Sequence, residues 1–319
     1  MTAADRESSF ARYRAFLTDA AFPSAGLAAL ANLRFAVDCS SGMSSLLVHG
    51  LFPDAEVIND ALDGTFAAHS PNPLKTEARA QVSALVRDHG LDCGVIFDGD
   101  ADRAMFVDER GEFVQPDYLI PLVAAACRRT ARGPVAPRPV VLHDVRTSRG
   151  TVETLREQGF EPAMVPVGHA FAKPKMRELG ALCGGELAGH YYFGDFFGCD
   201  SGLLAALRIL GEIAAAKAKG VSFSRLMRPI VSRYANSGEL NFRVEDKDAA
   251  IARVLACAAA DLPPELSRSE IDGFRLEYAE GWVSIRKSNT EPYLRLLVEA
   301  KTAELLGRWT ELLTSAIAS

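Results

Sequence analysis

The chain has 319 residues, 48% of them apolar or aromatic and 24% charged, with a formal net charge of −6. That composition is ordinary for a globular protein, and the negative balance excludes general affinity for nucleic acid or an anionic membrane, so any phosphate recognition has to be local. At about 100 to 200 residues per domain, the length accommodates two or three domains.

The six cysteines (Cys39, Cys93, Cys127, Cys183, Cys199, Cys257) form no CxxC pair, which argues against a disulfide framework or zinc module and fits a reducing cytoplasm. The first residues lack an apolar signal core, and no run approaches the ~20 apolar residues that span a bilayer. Cytoplasmic residence without a membrane partner is the expectation.

From Leu33 the pattern reads strand Leu33–Asp38, serine-rich loop Cys39–Ser45, helix Leu46–Phe52 and strand Ala55–Ile58. After Pro71-Asn72-Pro73, an amphipathic helix Thr76–His89 places Ala80, Leu85 and Val86 on one face and stops at Gly90. The apolar strand Cys93–Phe97 then runs into Asp98-Gly99-Asp100-Ala101-Asp102-Arg103, and a second strand, Ala104–Val107, follows. Three carboxylates at alternate positions offer hard oxygen ligands that suit Mg²⁺ before Zn²⁺ or copper, with Arg103 offsetting part of the charge. Asp and Gly are also plain turn formers. A solvated turn, however, rarely sits between two apolar runs, and ligands gather at the carboxyl ends of strands in α/β sheets.

A second α/β set follows: helix Asp117–Arg129, a Pro/Arg/Gly-rich break, strand Pro139–His143, helix Arg149–Gln158, an extended Pro162–Pro166, a short helix Lys175–Leu179, strand Ala181–Cys183 and an alanine-rich helix Ser201–Lys219. Such alternation predicts parallel, doubly wound layers. Within it, Gly184-Gly185-Glu186-Leu187-Ala188-Gly189-His190 sets an acid and an imidazole on a glycine-rich loop, suited to sugar hydroxyls or acid–base work. Gly168-His169-Ala-Phe-Ala-Lys173-Pro-Lys175 supplies cations for a phosphate or ring oxygen, or a solvated helix start.

From Gly238 the pattern changes to strand, helix Lys247–Ala260, a hairpin around Glu280-Gly281 and a terminal helix Ala303–Ile317. After the strand Gly281–Ile285 comes Arg286-Lys-Ser-Asn-Thr-Glu-Pro-Tyr-Leu-Arg295, dense in the guanidinium, hydroxyl and amide groups a phosphate dianion needs, although a salt-bridged turn would read similarly. The fold class is therefore α/β: two consecutive doubly wound α/β domains, 1–108 and 109–225, followed by a smaller α+β domain, 226–319.

Asp98-Gly-Asp-Ala-Asp-Arg103, Gly185-Glu-Leu-Ala-Gly-His190 and Arg286-Lys-Ser-Asn-Thr-Glu-Pro292, in that order, resemble the metal, sugar-binding and phosphate-binding loops of the α-D-phosphohexomutases, with the strongest likeness to the bacterial phosphomannomutase/phosphoglucomutase group. Smaller matches are Asp63-Gly-Thr-Phe66 with His69-Ser-Pro-Asn-Pro73, and Tyr191-Tyr-Phe193 through Asp200-Ser-Gly202. The resemblance implies domains 2 to 4 of that architecture, with Mg²⁺ on Asp98, Asp100 and Asp102, and the substrate phosphate on Arg286, Ser288, Asn289, Thr290 and Arg295. The sugar would lie among Glu186, Ala188, His190, His169 and Lys173, with Glu186, His190, Lys173 and Arg103 as catalytic candidates. Ala188 departs from the serine usual in that loop, which weakens the case for unchanged hexose specificity.

The implied activity is interconversion of mannose or glucose 1- and 6-phosphates with Mg²⁺, aided by a hexose 1,6-bisphosphate activator. Family members also carry a first domain whose phosphoserine, in a Thr-Ala-Ser-His-Asn-Pro type motif, hands over the phosphoryl group. This sequence opens at the lead-in helix of the second domain, Tyr13 to Leu17, and holds no such motif. Ser70 only superficially mimics it, and Ser40, Ser41, Ser44 and Ser45 read equally as helix-capping hydroxyls. Two other classes follow: a diverged phosphosugar epimerase, dehydratase or phosphatase using Mg²⁺ with Glu186 or His190, or a non-catalytic phosphosugar-binding subunit. Apolar surface left by a missing domain would call for a homodimer or a partner chain.

Overall fold

The computed structural model describes residues 3–288 and 292–318. The first unit contains α1 (Ala3–Ala21), β1 (Phe35–Asp38), α2 (Val48–Leu51), β2 (Glu56–Ile58), α3 (Thr76–His89), β3 (Cys93–Phe97), β4 (Ala104–Asp108) and β5 (Phe113–Val114). Its sheet runs β2-β1-β3-β4-β5. The second contains α4 (Ile120–Thr130), β6 (Val140–Asp144), α5 (Arg149–Glu157), β7 (Glu161–Val165), α6 (His169–Glu178), β8 (Cys183–Gly185), β9 (Tyr191–Phe193), β10 (Cys199–Asp200), α7 (Gly202–Lys217) and α8 (Phe223–Val231), with strand order β10-β9-β8-β6-β7. The helix α8 runs through residue 225, where the sequence pattern places a domain boundary.

The third unit is built from β11 (Ala235–Asn236), β12 (Leu240–Phe242), α9 (Lys247–Asp261), β13 (Ser267–Ser269), β14 (Phe274–Tyr278), β15 (Gly281–Lys287), β16 (Leu294–Ala300) and α10 (Ala303–Ala318). Its antiparallel sheet runs β11-β16-β15-β14-β13, with β12 also paired to β16.

The layers are not wholly parallel. In the first sheet β2, β1 and β3 are parallel while β4 runs antiparallel to β3 and β5 antiparallel to β4, and in the second β7, β6 and β8 are parallel while β9 runs antiparallel to β8 and β10 antiparallel to β9. A parallel neighbour needs a crossover of about a dozen residues or more. Residues 98–103 between β3 and β4, and 186–190 between β8 and β9, are too short for one. The acidic loop and the glycine-rich loop are therefore hairpin turns.

Three local expectations change. The buried face of α3 carries Ala78, Val82 and Val86, with Leu85 packed at its edge, while Ala80 is exposed. Residues 46–52 form a single α-turn, α2, preceded by a 3₁₀ turn over Met43–Leu46. The short helix expected at Lys175–Leu179 begins instead at His169, with Pro174 inside it. His169 and Lys173 thus stand one helical turn apart on the same face. Gly90 closes α3 as anticipated, in a left-handed conformation (φ +61°) whose N–H bonds back to the last turn.

One core joins the first two units. Phe35, Val37, Phe97 and Phe106 meet Leu119, Val123, Leu204 and Leu207 from α7 and the segment leading into and through α4. The third unit has its own core around Val254, Leu276, Tyr278, Leu296, Trp309 and Leu313. Leu187, Trp282 and Leu297 make a small cluster between the second and third. No described helix is long and apolar enough to cross a membrane, and all six cysteines are free thiols.

Candidate active site

The buried strand β3 delivers Asp98 to the carboxyl edge of the first sheet. There the chain turns with Ala101 in a left-handed conformation (φ +65°). Two glycines from elsewhere let the turn be packed closely. A Cβ on Gly42 would sit 2.5 Å from the Gly99 carbonyl oxygen, and one on Gly202 would sit 2.7 Å from that of Arg103. Asp98 is 2% exposed and accepts hydrogen bonds from Arg103 N (3.1 Å) and Nε (2.6 Å).

Asp98, Asp100 and Asp102 each offer a carboxylate oxygen within 4.8 Å of the others. Asp102 Oδ1 is buried with no hydrogen-bond partner among the described residues. Burial, with Asp98 and Asp100 alongside, pushes the Asp102 carboxyl up to about 6 against the pull of His190. Convergent anionic oxygens, one of them buried without a hydrogen bond and only 3.8 Å from Arg103 Nε, suit a hard divalent cation such as Mg²⁺.

The second hairpin abuts the first. Ala104 N donates to the Gly189 carbonyl (3.2 Å), and Arg103 and His190 form an isolated β-bridge. Glu186 is 1% exposed, accepts a 2.5 Å hydrogen bond from the Tyr192 hydroxyl, and has its pKa raised by burial and by Asp144. His190 Nδ1 lies 3.1 Å from Asp200 Oδ2 and 3.6 Å from Asp102 Oδ2. Burial opposes charge on this imidazole, but the Asp200 bond and the carboxylates of Asp102 and Glu186 prevail, and its pKa rises. Lys173 Nζ holds the other Asp200 oxygen at 2.8 Å. Despite burial, His190 and Lys173 keep the Asp200 carboxyl well below the usual range. The rings of His169, His190 and Tyr192 lie roughly parallel in succession, 6.2 and 6.4 Å apart. Ala188 is half-buried in the same loop.

From the third unit, Arg286 and Arg295 face each other directly across β15 and β16. The carboxylate of Glu239 bridges them, accepting from Arg286 Nη2 and Arg295 Nη1 at 2.9 Å each. Arg286 Nε is buried without a partner among the described residues. Arg146 joins the two units. It is clamped by Asp144 (3.0 and 2.5 Å) and reaches Glu186 at 3.8 Å and Glu239 at 3.7 Å. Ser288 N donates to the Tyr293 carbonyl, at 2.9 Å. Asn289 and Thr290 lie outside the described residues.

The structure thus gathers Asp98, Asp100, Asp102, Arg103, His169, Lys173, Glu186 and His190 about one cleft, and Arg146 links them to Arg286 and Arg295. Sequence reasoning missed Arg146, Asp144 and Glu239. The signal for Asp144 and Arg146 was their place at and just past the carboxyl end of a parallel strand, whereas Glu239 carried none. Of the candidate serines, Ser40, Ser41 and Ser44 are buried. Ser40 and Ser44 donate to the Phe97 and Cys39 carbonyls rather than capping a helix, and Ser70 Oγ accepts from Asn72 N.

Three family models match successive stretches of the chain: "Phosphoglucomutase/phosphomannomutase, alpha/beta/alpha domain II" over residues 11–111, domain III of the same description over 115–234, and its C-terminal domain over 239–315. Among curated relatives, "Phosphohexose mutases" of Xanthomonas campestris pv. campestris is 36% identical over 274 residues, covering 84% of this chain and 58% of the relative. A "Phosphomannomutase" of Vibrio cholerae is 38% identical over 240 residues, covering 75% and 50%. The chain therefore spans between half and three-fifths of the length of these relatives. Among solved structures, a phosphoglucomutase/phosphomannomutase family protein from Burkholderia thailandensis superposes with a TM-score of 0.76 at 28% identity, covering 91% of this chain and 62% of that one.

Proposed function

Because the chain belongs to the phosphoglucomutase/phosphomannomutase family, represented here by domains II, III and IV, we propose that it serves the interconversion of hexose 1- and 6-phosphates, with mannose and glucose phosphates as substrates and Mg²⁺ as cofactor. The observation that carries this reading is the convergence of a carboxylate trio, a buried acid with paired cations, and an arginine pair, one set from each domain.

The roles follow from the chemistry of each set. Arg286, Arg295 and Ser288 anchor the phosphate that does not react, because charge-assisted guanidinium bonds suit a dianion. Glu186, fixed by Tyr192, accepts sugar hydroxyls. Its raised pKa also suits it to hold a proton next to a transferring oxygen. His190 and Lys173, both tied to Asp200, place positive charge beside the reacting phosphoryl group. Asp98, Asp100 and Asp102 would hold Mg²⁺, which supplies further charge stabilisation when bound. The phosphoryl group itself comes from outside these three domains, from a first-domain phosphoserine or by way of a hexose 1,6-bisphosphate. The partner in this reading is that first domain, on this or another chain.

Phosphorus NMR on the chain with mannose or glucose 1-phosphate, Mg²⁺, glucose 1,6-bisphosphate and a first domain added in trans tests the reading. Signal is expected to pass from the 1- to the 6-phosphate and to stop on chelation. Absence of exchange with every component present would overturn it.

A further inference from the structure

We propose that a cavity at the joint of domains III and IV, distinct from the cleft, binds a small anion that carries hydroxyl groups. The cavity has a volume of about 440 Å³, within the range of ligand pockets, and sits among β6, α5 and β7 of one domain and β13 and β14 of the other. No cleft residue lines it. Successive side chains of a strand point to opposite faces, so Asp144 serves the cleft while its neighbour His143 lines the cavity.

Two observations define the ligand. The first is the charge of the walls. Arg149, Arg156, Arg268 and Arg275 line the cavity against two acids, Glu153 and Glu277. Both acids are already engaged. Glu277 takes Arg149 and Arg275, and Glu153 takes Arg233 at 3.3 Å and the Tyr234 hydroxyl at 2.8 Å. Arg268 pairs with Glu265 at the rim. The Arg156 guanidinium makes no hydrogen bond or ion pair with any described residue. A concave surface with a surplus of guanidinium charge concentrates anions.

The second is the tautomer of His143, which is 3% exposed. Its Nδ1 lies 3.1 Å from the Asp144 carbonyl oxygen. A carbonyl can only accept, so Nδ1 carries the hydrogen. Burial, with Arg275 beside it, keeps the ring neutral, its pKa pushed down to about 4. Nε2 therefore presents a lone pair and makes no hydrogen bond with any described residue. An acceptor surrounded by guanidinium donors selects a molecule with its own donor, and a hydroxylated phosphate supplies both the anion and the hydroxyl.

The test uses the full chain with Arg286→Ala, which weakens anion binding in the cleft, titrated calorimetrically with glycerol 3-phosphate and with sulfate, an anion of like shape that has no hydroxyl. Glycerol 3-phosphate is expected to bind at one site, several-fold tighter than sulfate. Arg156→Glu combined with Arg268→Glu, both at exposed positions, should weaken binding at least tenfold. His143→Phe should abolish the preference between the two probes. No binding by the Arg286→Ala chain would overturn the proposal, as would binding that the double variant leaves unchanged or a preference that survives His143→Phe.

Discussion

Like charges placed directly opposite on neighbouring strands repel, and Arg286 and Arg295 are such a pair, bridged by the carboxylate of Glu239. Glu239→Gln removes that neutralising charge while keeping the shape. The variant should lose about 1–2 kcal/mol of stability in anion-free buffer. Added inorganic phosphate should restore it, by linkage, more than it stabilises the parent. Thermal denaturation with and without phosphate measures both, and equal stabilisation of the two proteins would mean that phosphate binds elsewhere. The same contrast explains which site residues were legible. Asp98, Asp100 and Asp102 could be read because their spacing along one turn already brings them together. Glu239 reaches its arginines across 47 and 56 residues, and only the register of β12, β15 and β16 reveals the meeting.

At the scale of elements, the strands and most helices of the first domain follow from apolar runs and stop signals, and Gly90 ends α3 as its sequence implies. The direction of β4 and β9 depends on loop length, a cue that alternation of strands and helices does not contain. The hairpin form of the acidic loop also makes it vulnerable to its supports. Gly202 opens α7, and alanine at a helix position normally gains up to about 1 kcal/mol over glycine. Here the added Cβ would lie 2.8 Å from the Ala101 carbonyl oxygen and 2.7 Å from that of Arg103, both backbone atoms that cannot swing aside. Gly202→Ala should therefore cost about 1–3 kcal/mol by overpacking and weaken Mg²⁺ binding by roughly tenfold, about 1.4 kcal/mol of lost affinity. Titration with Mg²⁺ followed by calorimetry checks this, and unchanged affinity would show that the loop position does not matter to the cation.

Across the whole molecule, three units were legible from their patterns, but the seam between the second and third was not, since it is made by polar groups inside strands. Glu299 is fully buried and accepts from Arg149 N (2.8 Å), Trp282 Nε1 (2.6 Å) and Asn236 Nδ2 (3.1 Å). Arg275 donates across the same seam to the Val145 and Thr147 carbonyls at 2.6 and 2.9 Å. Glu299→Ala leaves the Arg149, Trp282 and Asn236 donors unmatched, a loss of about 1–3 kcal/mol for each that stays buried. Both tryptophans of the chain, Trp282 and Trp309, belong to domain IV. In urea, the fluorescence transition of the variant should precede the circular-dichroism transition, whereas the parent shows them together, and coincident curves in the variant would refute this role for Glu299. The acidic turn has a different consequence for how the protein is made. Its ligands lie within one hairpin between Cys93 and Asp108, whereas the arginine pair needs strands that end at Ala300. Local contacts close first, and synthesis runs from the N-terminus. On a translating ribosome, a nascent chain that binds as proposed would therefore gain the means to capture a cation well before it could grip a phosphate.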